Sequence, residues 1–157
     1  MSLTYLEIWE LLSYIVTVIA LPFAIVVFWL EQRKERKVEQ EELFVKLLDE
    51  YSELAKILID NADLRLLSSN KKDFTPEQEE KKLVIFDLLV SFFERAYILI
   101  YEANMSKHES RMWGTWEDYI DFWLKKDDFR KSLPELLSGE DPDFVSYMSG
   151  KLKKYLP

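Results

Sequence analysis

The chain has 157 residues, the length of one ordinary domain, and contains no cysteine, which excludes disulfides and cysteine-based metal sites. Its 29 acidic and 21 basic residues give a net charge of −8, and an acidic surface is repelled by nucleic-acid phosphates, so nucleic acid is not an expected partner. With three glycines in all, and neither glycine nor proline between Phe23 and Thr75, the composition predicts an all-α fold.

The first predicted element is an apolar segment from Leu11 to Leu30 that contains no charged residue. A helix of this length spans about 30 Å, the thickness of a bilayer core. A cleaved signal peptide needs basic residues before its apolar run, whereas this chain has Glu7 and Glu10 there. We therefore predict a short non-cytoplasmic N-terminus at residues 1–10 and a transmembrane helix at residues 11–30, retained as a signal-anchor.

Basic residues follow this segment directly and none precedes it: Arg33, Lys34, Arg36 and Lys37. Lys and Arg beside a span favour the cytoplasmic side. The sequence thus predicts a single-pass protein of the cell inner membrane, with the lipid bilayer as its first partner and its large C-terminal part in the cytoplasm.

One stripe of the predicted span consists of small side chains. Ser13, Thr17, Ala20 and Ala24 are spaced by four, three and four residues, which places them on one face of a helix. Small residues let helices approach closely in lipid, and hydroxyl groups can bond across such a contact. This stripe is the predicted interface of a homo-oligomer.

After the span, residues 31–42 alternate in charge and predict a solvated helical extension. Residues 43–157 are expected to form a cytoplasmic helical bundle, and the first helix to continue from the membrane to about Leu67. The second helix is predicted from Thr75, an N-cap followed by Pro76 and by Gln78 as the capping-box residue, to about Met105.

Three further helices are predicted. In the segment "GTWEDYIDFWL", Gly114 ends the preceding stretch, Thr115 is the expected N-cap and Asp118 completes the box. The segment "DDFRKSLPELLSG" predicts a shorter helix interrupted by proline. The last helix is predicted in "DPDFVSYMSGKLKKYL", with Asp141 as its N-cap and Pro142 inside it.

Aromatic residues are dense in the third predicted helix. Helical spacing places Trp116, Tyr119 and Trp123 on one face, and further aromatic residues extend to other faces. Such rings usually form a core, but aromatics are also enriched at the centres of protein interfaces. We therefore consider Trp116, Tyr119 and Trp123 a candidate partner face.

Catalytic chemistry has little support in the sequence. His108 is the only histidine, in the polar stretch "SKHESR", which predicts an inter-helix loop, and no phosphate-binding glycine loop is present. Glu50, Glu94 and Glu102 could be imagined as a carboxylate metal site, but exposed glutamates on helices explain these residues better. The sequence therefore predicts no catalytic residue, metal or cofactor.

The strings "FFERAYILIYEANMS", "WGTWEDYIDFW", "DDFRKSLPEL" and "DPDFVSYM" resemble a pattern found in small bacterial single-span membrane proteins of unknown function. The layout is similar to that of membrane accessory proteins of type VI-B CRISPR systems. That resemblance implies an oligomeric membrane pore acting in antiviral defence, with a bundle related to helical nucleases. The nuclease spacing, Arg followed four to six residues later by His, is not matched here.

Three functions are compatible with these features. The leading hypothesis is a non-enzymatic, membrane-anchored interaction protein that self-associates, with a pore-forming or defence accessory protein as its more specific version. The first alternative is an accessory subunit of a larger membrane complex, such as a respiratory or photosynthetic one. The second is a divergent helical nuclease-like enzyme using Arg95, His108 and Arg111.

Overall fold

The computed structural model describes residues 4–68 and 73–155. Within these ranges the chain forms helices joined by turns, without a β-strand, which confirms the predicted all-α fold. The elements in chain order are α1 (Tyr5–Asp60), a short 3₁₀ helix (Ala62–Leu64), α2 (Pro76–Ile100), α3 (Lys107–Leu124), α4 (Asp127–Leu136) and α5 (Pro142–Leu152).

The chain divides into two compact units, Met1–Glu42 and Leu43–Pro157, and α1 contributes to both. In the described part of the first unit, α1 is the only regular element and its side chains are almost all exposed. The second unit is a helical bundle with a continuous buried core. The predicted bundle segment and this second unit cover the same residues, 43–157.

The core of the bundle is organised around α2. Its residues Phe86, Leu89, Phe93 and Ala96 are fully buried and recur at intervals of three and four, so they form one stripe of the helix. The Phe86 ring meets the Phe129 ring of α4 edge to face, with 5.2 Å between centroids. The other fully buried large side chains come from every remaining helix and the 3₁₀ turn: Leu47, Leu64, Trp116, Ile120, Trp123, Leu124, Leu133 and Phe144.

Two helix starts follow the predicted local signals. The Thr75 hydroxyl accepts the Gln78 N–H at 3.2 Å, the Gln78 side chain accepts the Thr75 N–H at 3.2 Å, and Pro76 is the first residue of α2. The Asp141 carboxylate accepts the N–H groups of Asp143 and Phe144 at 3.0 and 3.1 Å, one residue before α5 begins. The capping predictions at Thr75 and Asp141 are confirmed.

The predicted start of the third helix is wrong. α3 begins at Lys107, where Ser106 and Glu109 form a reciprocal capping box, and both Gly114 and Thr115 lie inside the helix. A glycine in a helix costs only about 1 kcal/mol relative to alanine, which the buried aromatic face of α3 easily offsets. His108 consequently lies in the first turn of α3 and not in a loop.

Two helix ends also differ from prediction. α1 ends at Asp60, before Leu67, because the Asn61 side chain donates to the Ile57 carbonyl at 2.9 Å and the chain then tightens into the 3₁₀ turn. α2 ends at Ile100, before Met105. There the backbone of Tyr101 becomes extended, and its ring stacks on Tyr97 at 4.6 Å.

Candidate functional site

The N-terminal half of α1 is long and apolar enough to cross a membrane, and none of its most apolar stretch is buried within the protein. Large apolar side chains are exposed all around it; Val18, Phe23 and Ile25, for example, are 71%, 66% and 62% exposed. Exposed apolar area costs about 25 cal/mol per Å² in water, and soluble proteins rarely expose large contiguous patches of it. This surface is the strongest functional feature of the described chain.

The predicted interface stripe lies on this exposed surface. Ser13, Thr17, Ala20 and Ala24 are all exposed, and α1 is helical throughout this region. The Thr17 hydroxyl donates to the Ser13 carbonyl of its own helix at 2.8 Å. Its proton is therefore already used, and Thr17 offers only its oxygen, as an acceptor, to a neighbouring helix.

Each end of the apolar segment carries an aromatic residue. At the C-terminal end, the Arg33 guanidinium lies over the Trp29 ring, 3.5 Å from its centroid. Stacking of this kind keeps a cation beside an amphipathic ring, the pair that suits the level of lipid headgroups. At the N-terminal end Trp9 is 68% exposed, and Thr4 donates its backbone N–H to Glu7 Oε2 at 2.8 Å, as a helix cap does.

The candidate partner face on α3 is mostly buried, contrary to the prediction. Trp116 and Trp123 are buried, at 0% and 1% exposure, and only Tyr119 reaches the surface in part. Trp116 contacts Phe44 of α1 and Phe92 of α2, each at 5.5 Å between centroids. The two tryptophans thus belong to the core of the bundle and present no face to a partner.

The residues of the nuclease alternative are divided between two helices. Arg95 projects from α2 and forms an ion pair with Glu50 of α1 at 2.7 Å, while His108 and Arg111 are exposed in the first turns of α3. Within the described ranges, no group of three or more His, Cys, Asp or Glu residues is placed to hold a metal ion. Glu50 and Glu94 instead make contacts inside the bundle.

A pair of carboxyl groups meets at the turn between α4 and α5. Glu94 of α2 hydrogen-bonds Glu140, and its Oε1 also accepts the Asp141 N–H at 2.5 Å. The Ser91 hydroxyl donates to Glu140 Oε1 at 3.4 Å. Burial, followed by the hydrogen bond and the negative charge of Glu94, raises the pKa of Glu140 to about 7. Two carboxylates in such contact repel each other when both are charged.

A second polar cluster fixes α5 to α3. Lys151 is only 6% exposed, and its Nζ lies 2.7 Å from Asp121 and 2.8 Å from Glu117. The Tyr147 hydroxyl donates to Glu117 at 3.3 Å. Burial alone would lower the pKa of Lys151, but the hydrogen bonds and charges of Asp121 and Glu117 outweigh it and raise that pKa.

The sequence alone predicts neither polar cluster. Asp121 and Lys151 are 30 residues apart in the sequence, and Glu94 and Asp141 are 47 residues apart. No local spacing therefore connects the members of either cluster. The one available signal was a lysine in an otherwise apolar stripe of the last helix, at Lys151. A buried lysine requires a charged partner, but the sequence does not say which.

An apolar groove of about 240 Å³ lies between α1 and α2 within the bundle. Leu54 and Ile57 line it from α1, and Leu88 and Phe92 line it from α2. The exposed face of α2 beside it carries Val84 and Ile98, at 55% and 58% exposure. The described part of the bundle therefore also carries an exposed apolar surface, outside the span.

No protein-family model, curated protein or solved structure matches the chain. The resemblance in layout to membrane accessory proteins of type VI-B CRISPR systems stays a prediction. The class that the described geometry supports is a helical protein with one apolar helix that is able to span a membrane. Its further assignment depends on the chemistry of the span and of the bundle.

Proposed function

We propose that this chain is a membrane-anchored helical protein that self-associates through its span. The observation that carries the proposal is the apolar half of α1, which exposes apolar side chains on all sides and buries none of its most apolar stretch within the protein. Inserting this surface into lipid removes it from water without requiring a protein cover.

We further propose that the span crosses the inner membrane once and that the bundle lies in the cytoplasm. The support is the charge asymmetry around the span, with Arg33, Lys34, Arg36 and Lys37 on one side and no basic residue on the other. The stacking of Arg33 on Trp29 is in keeping with a headgroup position for that end.

A reporter of cytoplasmic folding fused after Pro157 is expected to be active, because the four basic residues hold that flank on the cytoplasmic side. Replacing all four with glutamine is expected to give mixed orientation at similar insertion. Replacing Lys153 and Lys154 instead, two exposed lysines far from the span in sequence, serves as the control and is expected to leave the orientation unchanged. A reporter active only on the outer side of the membrane in the parent protein would contradict this orientation.

Self-association is proposed to use the stripe of Ser13, Thr17, Ala20 and Ala24. In lipid, apolar burial gives no net drive for helix contact, so close backbone approach and hydrogen bonds decide the contact. Because the Thr17 proton is committed to the Ser13 carbonyl, the small volume of the stripe matters more than hydrogen bonds across it. Ala20 and Ala24 allow the closest approach.

The test is the mass of the full-length protein purified in mild detergent. The double change Ala20→Leu and Ala24→Leu is expected to shift it from oligomer towards monomer, because the added side chains separate the helix backbones while the span remains apolar. The matched control is Val18→Phe with Val26→Phe, which adds bulk on the opposite face and is expected to keep the parent mass.

An unchanged mass in the double leucine variant would exclude this stripe as the interface. If the parent itself is monomeric, self-association through the span is wrong, and stoichiometric co-purifying chains would identify an accessory subunit of a larger complex. An oligomer that resists the leucine changes would direct attention to the exposed face of α2, where Val84 and Ile98 are the next residues to replace.

A further inference from the structure

We propose that Glu94 and Glu140 form a proton-dependent clasp that holds the turn between α4 and α5 on α2. The clasp joins elements that are distant in sequence, since Glu94 lies in the C-terminal third of α2 and Glu140 lies just before α5. Contact between the two carboxyl groups requires a proton between them, so the clasp is closed while Glu140 is protonated and repulsive when both groups are charged.

The clasp acts on a structural joint. Glu94 also accepts the backbone N–H of Asp141, and Asp141 is the N-cap of α5, with its carboxylate accepting two N–H groups of the first turn. Phe144, in that first turn, is fully buried and its ring lies 5.6 Å from Tyr97 of α2. Movement of the turn at Glu140 therefore disturbs the cap and the first turn of α5.

The surroundings of Glu140 contain little to stabilise a second negative charge. The charged groups that act on it are Glu94 and Asp87, both carboxylates of α2, and Ser91 contributes a single hydroxyl donor at 3.4 Å. Two more carboxylates, Asp141 and Asp143, follow Glu140 in the chain at the start of α5. Loss of the proton thus leaves unbalanced repulsion at the turn.

The direction of the pH effect follows from the raised pKa. Glu140 titrates at about 7 in the folded protein and near its usual value of 4.5 in the unfolded chain. Between these values the folded state binds more protons, so stability is highest at the acidic end, falls as pH rises towards 7, and is constant above it. The clasp is accordingly closed in mildly acidic solution and open in mildly alkaline solution.

The opening is confined to the turn and the start of α5. The rest of α5 remains attached through Lys151, which is bonded to Asp121 and Glu117, and through the contact of Tyr147 with Trp113 at 5.7 Å between centroids. A local change of this kind alters exposure at one end of the bundle without unfolding it.

Amide hydrogen exchange of the full-length protein in detergent tests the clasp directly. After correction for intrinsic exchange rates, protection of the peptide covering residues 137–146 is expected to fall about tenfold between pH 6 and pH 8, the change that corresponds to about 1.4 kcal/mol. Protection of the α2 segment around Phe86 serves as the internal reference and is expected to stay constant.

Two variants separate the clasp from other titrating groups. Glu140→Gln keeps a neutral hydrogen-bonding side chain, so protection is expected to be independent of pH and close to the parent value at pH 6. Glu135→Gln, at an exposed position of α4, is the matched control and is expected to show the full pH dependence of the parent.

The proposal is wrong if the parent shows no change in protection of this peptide between pH 5 and pH 9. It is equally wrong if Glu140→Gln retains the parent's pH dependence. These outcomes are independent of membrane topology and of self-association, because the measurement concerns only the bundle.

Discussion

Replacing Trp116 with alanine is expected to lower the free energy of unfolding of the bundle by about 3–5 kcal/mol, the range for large aromatic truncations in a core. Trp116 is fully buried and contacts rings from two other helices, Phe44 and Phe92. The cavity left by its removal would border three helices, so none of them could close it alone. Urea unfolding of the full-length protein in detergent, followed by circular dichroism, measures the loss.

Phenylalanine at the same position is expected to cost far less, at most about 1.5 kcal/mol. The indole Nε1 of Trp116 is buried and has no hydrogen-bond acceptor within the described part of the chain. Leaving a donor unsatisfied costs about 1–3 kcal/mol, so its removal compensates for part of the lost ring volume. Equal losses in the phenylalanine and alanine variants would show that the indole group has a partner.

An exposed ring on the same helix provides the control. Phe122 is 39% exposed, and Phe122→Ala is expected to lower the free energy of unfolding by about 1 kcal/mol or less. If Phe122→Ala costs as much as Trp116→Ala, then burial within the bundle of one chain does not set these energies. Such a result would show that Phe122 is covered when the protein assembles.

The second large effect is expected from Lys151→Met. Methionine retains the apolar stem but removes the ammonium group that separates the carboxylates of Glu117 and Asp121. Breaking a buried ion pair costs up to about 3–5 kcal/mol, and the partial exposure of both acids reduces the expected loss to about 2 kcal/mol. Chemical unfolding at pH 7 measures this loss.

Compensating substitutions and the pH dependence of stability distinguish the contribution of the Lys151 ion pairs from that of side-chain packing. Adding Glu117→Gln and Asp121→Asn to Lys151→Met is expected to recover most of the loss, since no unpaired charge then remains. In the parent, the stability that the ion pairs give is present at neutral pH, and on the alkaline side it is lost as pH rises through the raised pKa of Lys151. Lys154→Met, at an exposed position, is expected to change stability by no more than about 0.5 kcal/mol.

The parts of the fold that could be predicted from sequence depend on local interactions. The caps at Thr75 and Asp141 involve neighbours two or three residues away. The residue types at these positions are therefore enough to predict the two caps. The predicted start of α3 is wrong because two capping signals compete within ten residues, one at Ser106 and one at Thr115. The first is used because it adds two helical turns that bury Met112 and Trp113.

The candidate functional surfaces likewise differ in whether local sequence is enough to predict them. The apolar segment is a property of consecutive residues, and its exposure in the structure agrees with its composition. Helical spacing placed Trp116 and Trp123 on one face, but only the tertiary packing of α1 and α2 reveals that this face is covered. The contacts of Lys151 and Glu140 join distant segments, so no pattern along the chain could predict them.

The raised pKa of Glu140 has a calorimetric consequence. Between pH 5 and pH 7 the folded chain retains a proton at Glu140 that the unfolded chain gives up, so thermal unfolding in this range releases protons to the buffer. The apparent unfolding enthalpy then includes the heat of buffer ionisation and differs between phosphate and an amine buffer. The difference in apparent unfolding enthalpy between the two buffers therefore gives the number of protons that the chain releases when it unfolds.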